Sequence, residues 1–236
     1  NSKKQILTPQ EEEVEEDTGT GNDNGNNSGS NPTTPTNTPL SSDEIKIAVD
    51  KILNYLKSQQ DETGKIIDAN ISDWALMAFA ANNQYAHEIK NNGESLFTYA
   101  LNYNFTDPSD LNICATYPRH ILALLAAGVD KNSAKIQELK AKIKTECYKN
   151  NLFGLNGIND DIFGLFSLLA LDESSSEPTV STTINTILTD QQADGSFTWA
   201  GWPGVDITGA AIDALKYAQT KGAEINKEIF SKAKSY

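Results

Sequence analysis

Three aspartates and one arginine occupy equivalent places at the start of four strongly apolar segments. They are Asp73, Arg119, Asp161 and Asp206, at intervals of about 45 residues. A carboxylate that is sheltered from water can act as a general acid or base when a second carboxylate lies nearby. Because Asp160 directly precedes Asp161, the candidate acid–base set is Asp160, Asp161 and Asp206.

The same aspartates also suit a structural role. An Asp side chain at the start of a helix accepts hydrogen bonds from free backbone N–H groups and complements the positive end of the helix dipole. N-capping explains Asp73, Asp161 and Asp206 without any ligand, and we expect Asp206 to be primarily a cap because no second acid stands beside it. Arg119 then pairs with an aspartate of a neighbouring repeat.

Two kinds of helix must position these residues, and they alternate from Ser42 onwards. One kind is amphipathic and charged, as in DEIKIAVDKILNYLKSQQ, NSAKIQELKAKIKTECYKN and TVSTTINTILTDQQ. The other kind is almost wholly apolar, as in DWALMAFAA, RHILALLAAG, DIFGLFSLLAL and DITGAAIDALKYA. An amphipathic helix lies on a surface, whereas a helix that is apolar all round is buried. The sequence therefore predicts four helical hairpins, each with an outer and an inner helix.

A turn sequence in the fourth hairpin resembles that of a known superfamily. QQADGSFTW, which begins at Gln191, resembles the QW motif of the terpene cyclase and protein prenyltransferase superfamily. VDITGAAIDAL, which begins at Val205, is similar to the inner helices of the cobalamin carriers transcobalamin and intrinsic factor. The resemblance implies an all-α fold, an α/α toroid over residues 44–236, with four hairpins and a ring that is incomplete at Tyr236. It implies little about function, because one fold hosts unrelated activities.

The catalytic motifs of that superfamily are incomplete here. INDD, which ends at Asp161, lacks the first aspartate of the cyclase DxDD motif, and DDIFG lacks the last aspartate of DDxxD. Cys114, His120 and Asp161 are the residue types of the prenyltransferase zinc site, but a six-residue separation places Cys114 and His120 on opposite faces of a helix. We expect no metal and no cofactor.

The two cysteines have a different explanation. Cys114 lies near the start of an inner helix and Cys147 near the end of the next outer helix, at similar distances from the turn between them. Antiparallel packing then places them side by side, so an exported protein would form a disulfide here. Two buried free thiols are the alternative for a cytosolic protein.

Four residues are the candidates for contact with a ligand: Trp74, Tyr117, Arg119 and Trp202. Trp202 stands in the loop GWPG and Trp74 stands beside the first aspartate of the register. Aromatic surfaces next to acids suit a small molecule, a glycan or a protein. The partner is therefore expected to be one of these three kinds of ligand.

Composition narrows the functional class. The formal net charge is −13 at pH 7 and no basic cluster is present, which argues against nucleic acid. Residues 1–43 are rich in Asn, Gly, Thr, Pro and acidic residues, a composition that predicts a disordered linker. Such a linker is typical of an exported bacterial protein whose targeting segment has been removed. We predict a non-catalytic, extracytoplasmic binding or scaffold module on a bacterial cell surface that does not span the membrane. The rival is a toroid enzyme of terpene cyclase, prenyltransferase or polysaccharide-active type, using Asp160, Asp161 and Asp206.

Overall fold

The computed structural model describes residues 39–150, 152–154 and 157–236. The predicted linker over residues 1–43 lies almost entirely outside the described residues. From Ser41 onwards the described residues form one compact unit. Its first helix already begins at Ser42, because Ser41 and Glu44 form a reciprocal capping box.

Most of the described chain is helical, as predicted. The α-helices are α1 (Ser42–Ser58), α2 (Ala69–Ala81), α3 (Leu96–Asn102), α4 (Ile113–Ala126), α5 (Ala134–Lys142), α6 (Ile158–Ala170), α7 (Pro178–Asp190), α8 (Val205–Thr220) and α9 (Lys227–Ser235). A short 3₁₀ turn covers Ala86–Glu88 and a π-helical turn covers Ile143–Cys147.

Two small antiparallel β-hairpins were not predicted. β1 (Tyr148–Lys149) pairs with β2 (Leu152–Phe153), and β3 (Thr198–Trp199) pairs with β4 (Trp202–Pro203). Each hairpin lies in the connection that leads into an apolar helix, α6 or α8. Strands of two residues are too short to show the alternation of apolar and polar residues by which a strand is recognised.

The four apolar helices pack in chain order, with α4 between α2 and α6, and α6 between α4 and α8. Each contributes a leucine that is completely shielded from solvent, namely Leu76, Leu124, Leu165 and Leu215. The amphipathic helices contact this row from outside: α1 contacts α2, α5 contacts α4, α7 contacts α6 and α9 contacts α8. The alternation of amphipathic and buried helices that the sequence predicted is therefore present.

An aromatic contact joins the helices on either side of α4. Trp74 on α2 touches Phe163 on α6, with ring centroids 5.8 Å apart. Both helices also pack against α4. The two helices on either side of α4 therefore also contact each other through their aromatic side chains.

The predicted disulfide is confirmed. Cys114, near the start of α4, is bonded to Cys147 at the end of the π-helical turn, with their Cα atoms 5.4 Å apart. The bond closes a loop with a sequence separation of 33 residues. A buried disulfide of this kind is compatible with an extracytoplasmic location.

Candidate functional site

Asp73 lies inside α2 and does not cap it. The N-cap of this helix is Asp68, whose carboxylate accepts a hydrogen bond of 2.7 Å from the N–H of Ile71. The capping prediction for Asp73 is therefore wrong. The residue lies more than a turn into the helix, where the backbone N–H groups already have partners within the helix.

Asp73 instead stands at the centre of a buried network between α2 and α4. Arg119 donates from Nε to one oxygen of Asp73 at 3.1 Å, and Nδ1 of His120 lies 2.7 Å from the other oxygen. The second ring nitrogen of His120 lies 3.0 Å from the carbonyl oxygen of Ala100. Arg119 also approaches Asp110, with 3.8 Å between Nη2 and Oδ1. These contacts tie adjacent repeats together, as the sequence predicted for Arg119.

Tyr117 and Arg119 are consequently poor candidates for ligand contact. Both are buried, and Arg119 is occupied by Asp73. The Tyr117 hydroxyl donates to Glu146 at 3.3 Å, and its ring packs edge-on against Phe105. The expectation that they face a ligand is corrected because α4 directs both of them to protein partners.

Asp206 and Asp161 do not cap their helices either. α8 begins after Gly204 and α6 begins after Gly157, and neither helix has a side-chain capping bond. Asp206 is the exposed second residue of α8, and Asp161 is the fourth residue of α6. Both lie in the first turn, where their charge complements the helix dipole, but the predicted capping bond is absent from both helices.

A cavity of about 420 Å³ opens beside Asp161. It lies between the start of α6, the strand β2 and the end of α7. We call it the Asp161 cavity. Its lining residues are Leu152, Phe153, Gly154, Gly157, Ile158, Asp161, Thr186, Thr189 and Asp190.

Asp161 is the chemically distinctive residue of this cavity. Only 3% of its surface is exposed, and its Oδ1 oxygen has no hydrogen-bond partner among the described residues. Burial, followed by the neighbouring charges of Asp160 and Asp190, raises the pKa of Asp161 from 3.8 to about 7. Near neutral pH this carboxyl therefore exists in both its protonated and its ionised form.

Asp160 is held away from such a role. It is fully buried, and one of its oxygens accepts a hydrogen bond from the side-chain amide of Asn112, which caps α4. Its other oxygen lies against Gly154, where φ is +65° and an added Cβ would overlap the carboxylate. Glycine at this position meets both requirements, because it tolerates positive φ and has no side chain.

Asp190 is the second carboxylate of the cavity, and the sequence did not single it out. It is the last residue of α7, and its carboxylate accepts hydrogen bonds from the backbone N–H of Thr198 at 2.7 Å and from the Thr198 hydroxyl at 3.1 Å. Its position directly before the QQADGSFTW turn was the available signal. The repeat pattern does not mark Asp190, because the repeated positions lie at the starts of the apolar helices and Asp190 ends an amphipathic one.

One exposed tryptophan lies near the lining of the cavity. Trp199 lies near Gly157, since a Cβ built on that glycine would stand 3.8 Å from the Trp199 ring. Trp199 is directly opposite Trp202 in the β3–β4 hairpin. The two are 47% and 78% exposed, and Trp74 is 46% exposed. Trp74 and Trp202 therefore lie on the surface, as a ligand-contact role requires.

A larger cleft of about 830 Å³ lies between α3 and the turn after α1. Two of its charged groups, Lys65 and Asp107, are paired with each other within the protein. Lys65 lies 3.5 Å from Asp107, which also accepts a hydrogen bond of 2.9 Å from the N–H of Ser109. The Tyr99 hydroxyl of this cleft and one oxygen of Asp161 both lack a hydrogen-bond partner among the described residues. The Asp161 cavity is the stronger candidate because its group is a carboxyl whose pKa is raised to about 7.

Comparison with protein-family models, curated proteins and solved structures finds no significant match to this chain. In the described part of the chain, no group of three or more His, Cys, Asp or Glu side chains is arranged to hold a metal ion. No helix among the described residues is long and apolar enough to cross a membrane. The function must therefore be argued from the cavity itself.

Proposed function

We propose that this chain is a non-catalytic, extracytoplasmic α/α-toroid module of a bacterial cell surface, which binds its ligand in the Asp161 cavity. The observation that carries the proposal is a buried carboxyl in the lining of a cavity, one oxygen of which has no hydrogen-bond partner among the described residues. The exposed Trp199 lies near Gly157 of the same lining. Leaving a buried polar group unpaired costs about 1–3 kcal/mol. A ligand that pairs with Asp161 would recover that cost on binding.

Three features support the toroid part of the proposal. Apolar helices α2, α4, α6 and α8 pack in chain order, and amphipathic helices contact them from outside. Trp74 on α2 touches Phe163 on α6, a contact that a curved row of helices would favour. The QQADGSFTW turn, in which Gln191 donates to the carbonyl oxygens of Gly195 and Ile229, links the fourth hairpin to α9.

The arrangement of the carboxylates favours binding over catalysis. Acid–base catalysis by Asp160, Asp161 and Asp206 requires at least two of them to face one substrate. Asp161 lines the cavity, whereas Asp206 is exposed outside its lining and Asp160 is buried against Gly154 and Asn112. The set that the sequence suggested is not assembled at one place.

One observation favours the rival function, a toroid enzyme with Asp161 as its general acid. A carboxyl whose pKa is raised to about 7 is suited to donate a proton near neutral pH. Asp190 lines the same cavity and is the candidate for the second carboxylate. Conversion of a bound compound would support this function, whereas binding without conversion supports the module.

Extracytoplasmic location is supported by the bond between Cys114 and Cys147. Disulfides persist in oxidising compartments and are rare in the cytosol. The acidic composition of the chain, with a formal net charge of −13, suits a soluble module in contact with uncharged or cationic partners.

Protein-observed NMR with a panel of soluble oligosaccharides, peptides and small metabolites tests the proposal. We expect one or more compounds to shift the resonances of residues that line the cavity and to remain chemically unchanged. The variant Thr189→Trp, which fills the cavity from the last turn of α7, should abolish those shifts. Thr220→Trp is the matched control, because Thr220 is also an exposed threonine in a last helical turn whose hydroxyl bonds a preceding carbonyl.

Two results would contradict the proposal. One is the absence of any compound whose shifts depend on the cavity, so that Thr189→Trp and Thr220→Trp behave alike. The other is conversion of a compound by the wild type but not by Asp161→Asn, which would establish the enzyme instead.

A further inference from the structure

Among the described residues that line the Asp161 cavity, the polar side chains present hydrogen-bond acceptors. Asp161 and Asp190 are carboxylates, and the described lining residues include no lysine, arginine or histidine. The hydroxyl of Thr186 donates to the carbonyl oxygen of Thr182 at 3.1 Å. The hydroxyl of Thr189 donates in the same way to preceding carbonyls of α7. Their remaining capacity is that of acceptors.

The rest of the lining is apolar and includes Leu152, Phe153 and Ile158. Phe153 and Ile158 are almost completely buried, whereas Leu152 is 54% exposed. These apolar side chains offer a contact surface to a hydrocarbon chain whose polar end lies at the carboxylates. A volume of about 420 Å³ accommodates a small ligand of this kind.

We infer that the Asp161 cavity binds a primary ammonium group carried on a short aliphatic chain. This inference rests on the proposed function, which makes the cavity the ligand site. An ammonium group supplies three N–H donors and a positive charge to a site that presents acceptors and negative charge. An anionic ligand would be repelled by Asp161 and Asp190, and the described residues lack the cluster of ligands that a metal ion requires.

Binding of the ammonium group is coupled to the proton on Asp161. The titratable groups whose charges act on Asp161 are Asp160 on its own helix and Asp190 on α7, and the β2 residues of the lining are uncharged. Together with burial they raise the pKa of Asp161 to about 7. A cation pairs with the ionised carboxylate and competes with that proton, so affinity should rise with pH until Asp161 is fully ionised.

The size of this effect follows from the pKa. An alkylammonium group stays protonated up to about pH 9, since amines of the lysine type titrate near pH 10.4. Affinity that requires ionised Asp161 should therefore be roughly thirtyfold higher at pH 8.5 than at pH 5.5. An exposed carboxylate with an ordinary pKa would leave affinity nearly constant over this range.

Isothermal titration calorimetry with n-pentylammonium and neutral n-pentanol, at pH 8.5 and pH 5.5, tests the inference. We expect the wild type to bind n-pentylammonium more tightly than n-pentanol at pH 8.5, with the thirtyfold loss at pH 5.5. Asp161→Asn should bind the ammonium more weakly at pH 8.5 and lose the pH dependence. Asp206→Asn removes the same charge from an exposed site in the first turn of α8, and should behave as the wild type.

Asp190→Asn provides a second variant, which should weaken ammonium binding and keep its pH dependence. Melting temperatures and circular dichroism verify that each variant is folded, and the wild-type pH dependence requires no variant at all.

Equal affinity for n-pentanol and n-pentylammonium, or equal losses of ammonium affinity in Asp161→Asn and Asp206→Asn, would overturn the inference. If n-pentylammonium does not bind but neutral compounds of the NMR panel still shift the resonances of the cavity residues, the ammonium inference is wrong and the proposed binding function stands. If no compound shifts the resonances of the cavity residues, the ammonium inference and the proposed binding function are both wrong.

Discussion

The raised pKa of Asp161 should make the protein less stable as the pH rises from about 4 to 7. The unfolded chain releases this proton near the ordinary value of 3.8, whereas the folded protein retains it until about pH 7. Below pH 3.8 both states are protonated and the residue has no pH-dependent cost. Above pH 7 both are ionised and the cost is complete, about 4 kcal/mol at 1.36 kcal/mol per pKa unit.

Asp161→Asn isolates this contribution, because asparagine has nearly the same shape and no charge at any pH. Between pH 5 and pH 8 the wild type should lose about 2.5–3 kcal/mol more stability than the variant. Urea unfolding of both proteins at the two pH values and constant ionic strength measures the difference. Any constant effect of the amide cancels, since only the change with pH is compared.

Asp206→Asn is the control, since Asp206 is exposed at the start of α8. It should lose stability between pH 5 and pH 8 by the same amount as the wild type. A difference between the wild type and Asp161→Asn smaller than about 0.5 kcal/mol would refute the reasoning, because it would mean that Asp161 is solvated or paired in the folded protein.

Three further outcomes are expected from the fold. Replacing Cys114 and Cys147 by serine should lower the unfolding free energy by about 4 kcal/mol, from the entropy of a 33-residue loop; a loss below about 1 kcal/mol in chemical denaturation would argue against this cross-link. Leu124→Ala should lower the unfolding free energy by about 2–5 kcal/mol, because Leu124 is fully buried. Leu111→Ala should change it by less than about 0.5 kcal/mol, because Leu111 is 93% exposed. Similar values for the two variants would contradict the predicted core. Asp73→Asn should destabilise the protein by about 3–5 kcal/mol, because it leaves the Arg119 guanidinium buried without its nearest counter-charge; thermal melting that matches the wild type would show that the network adds nothing.

The helical alternation could be predicted because burial leaves a strong pattern in the sequence. A helix that is apolar on every side, such as α6, can only lie inside, and a striped helix such as α7 can only lie at a surface. The disulfide followed from the same regularity, because equal numbers of residues on two antiparallel helices place Cys114 beside Cys147.

Helix α3 and the caps could not be predicted in this way. α3 spans Leu96–Asn102, which is too short to show a helical period. The aligned register positions lie at different depths, since Asp73 is the fifth residue of α2 and Asp206 is the second of α8. The alignment followed the buried faces of the helices, whereas a cap depends on where the first free N–H groups fall.

The candidate site was predicted only in part. Asp161 was named from its place in the register, Trp74 from its place beside Asp73, and Trp202 from its place in the loop GWPG. Asp190 comes from a different helix and meets Asp161 only because α7 packs against α6. Such a meeting of residues far apart in the chain leaves no local pattern, so it becomes visible only in the folded structure.

Carbon-13 NMR titration of the Asp161 carboxyl, with and without saturating n-pentylammonium, tests the central claim most directly. Our account predicts a pKa of about 7 in the free protein, and a lower pKa in the presence of the ammonium compound, because a bound cation favours the ionised carboxylate. A pKa near 4 in the free protein, or a pKa that n-pentylammonium leaves unchanged, would contradict it.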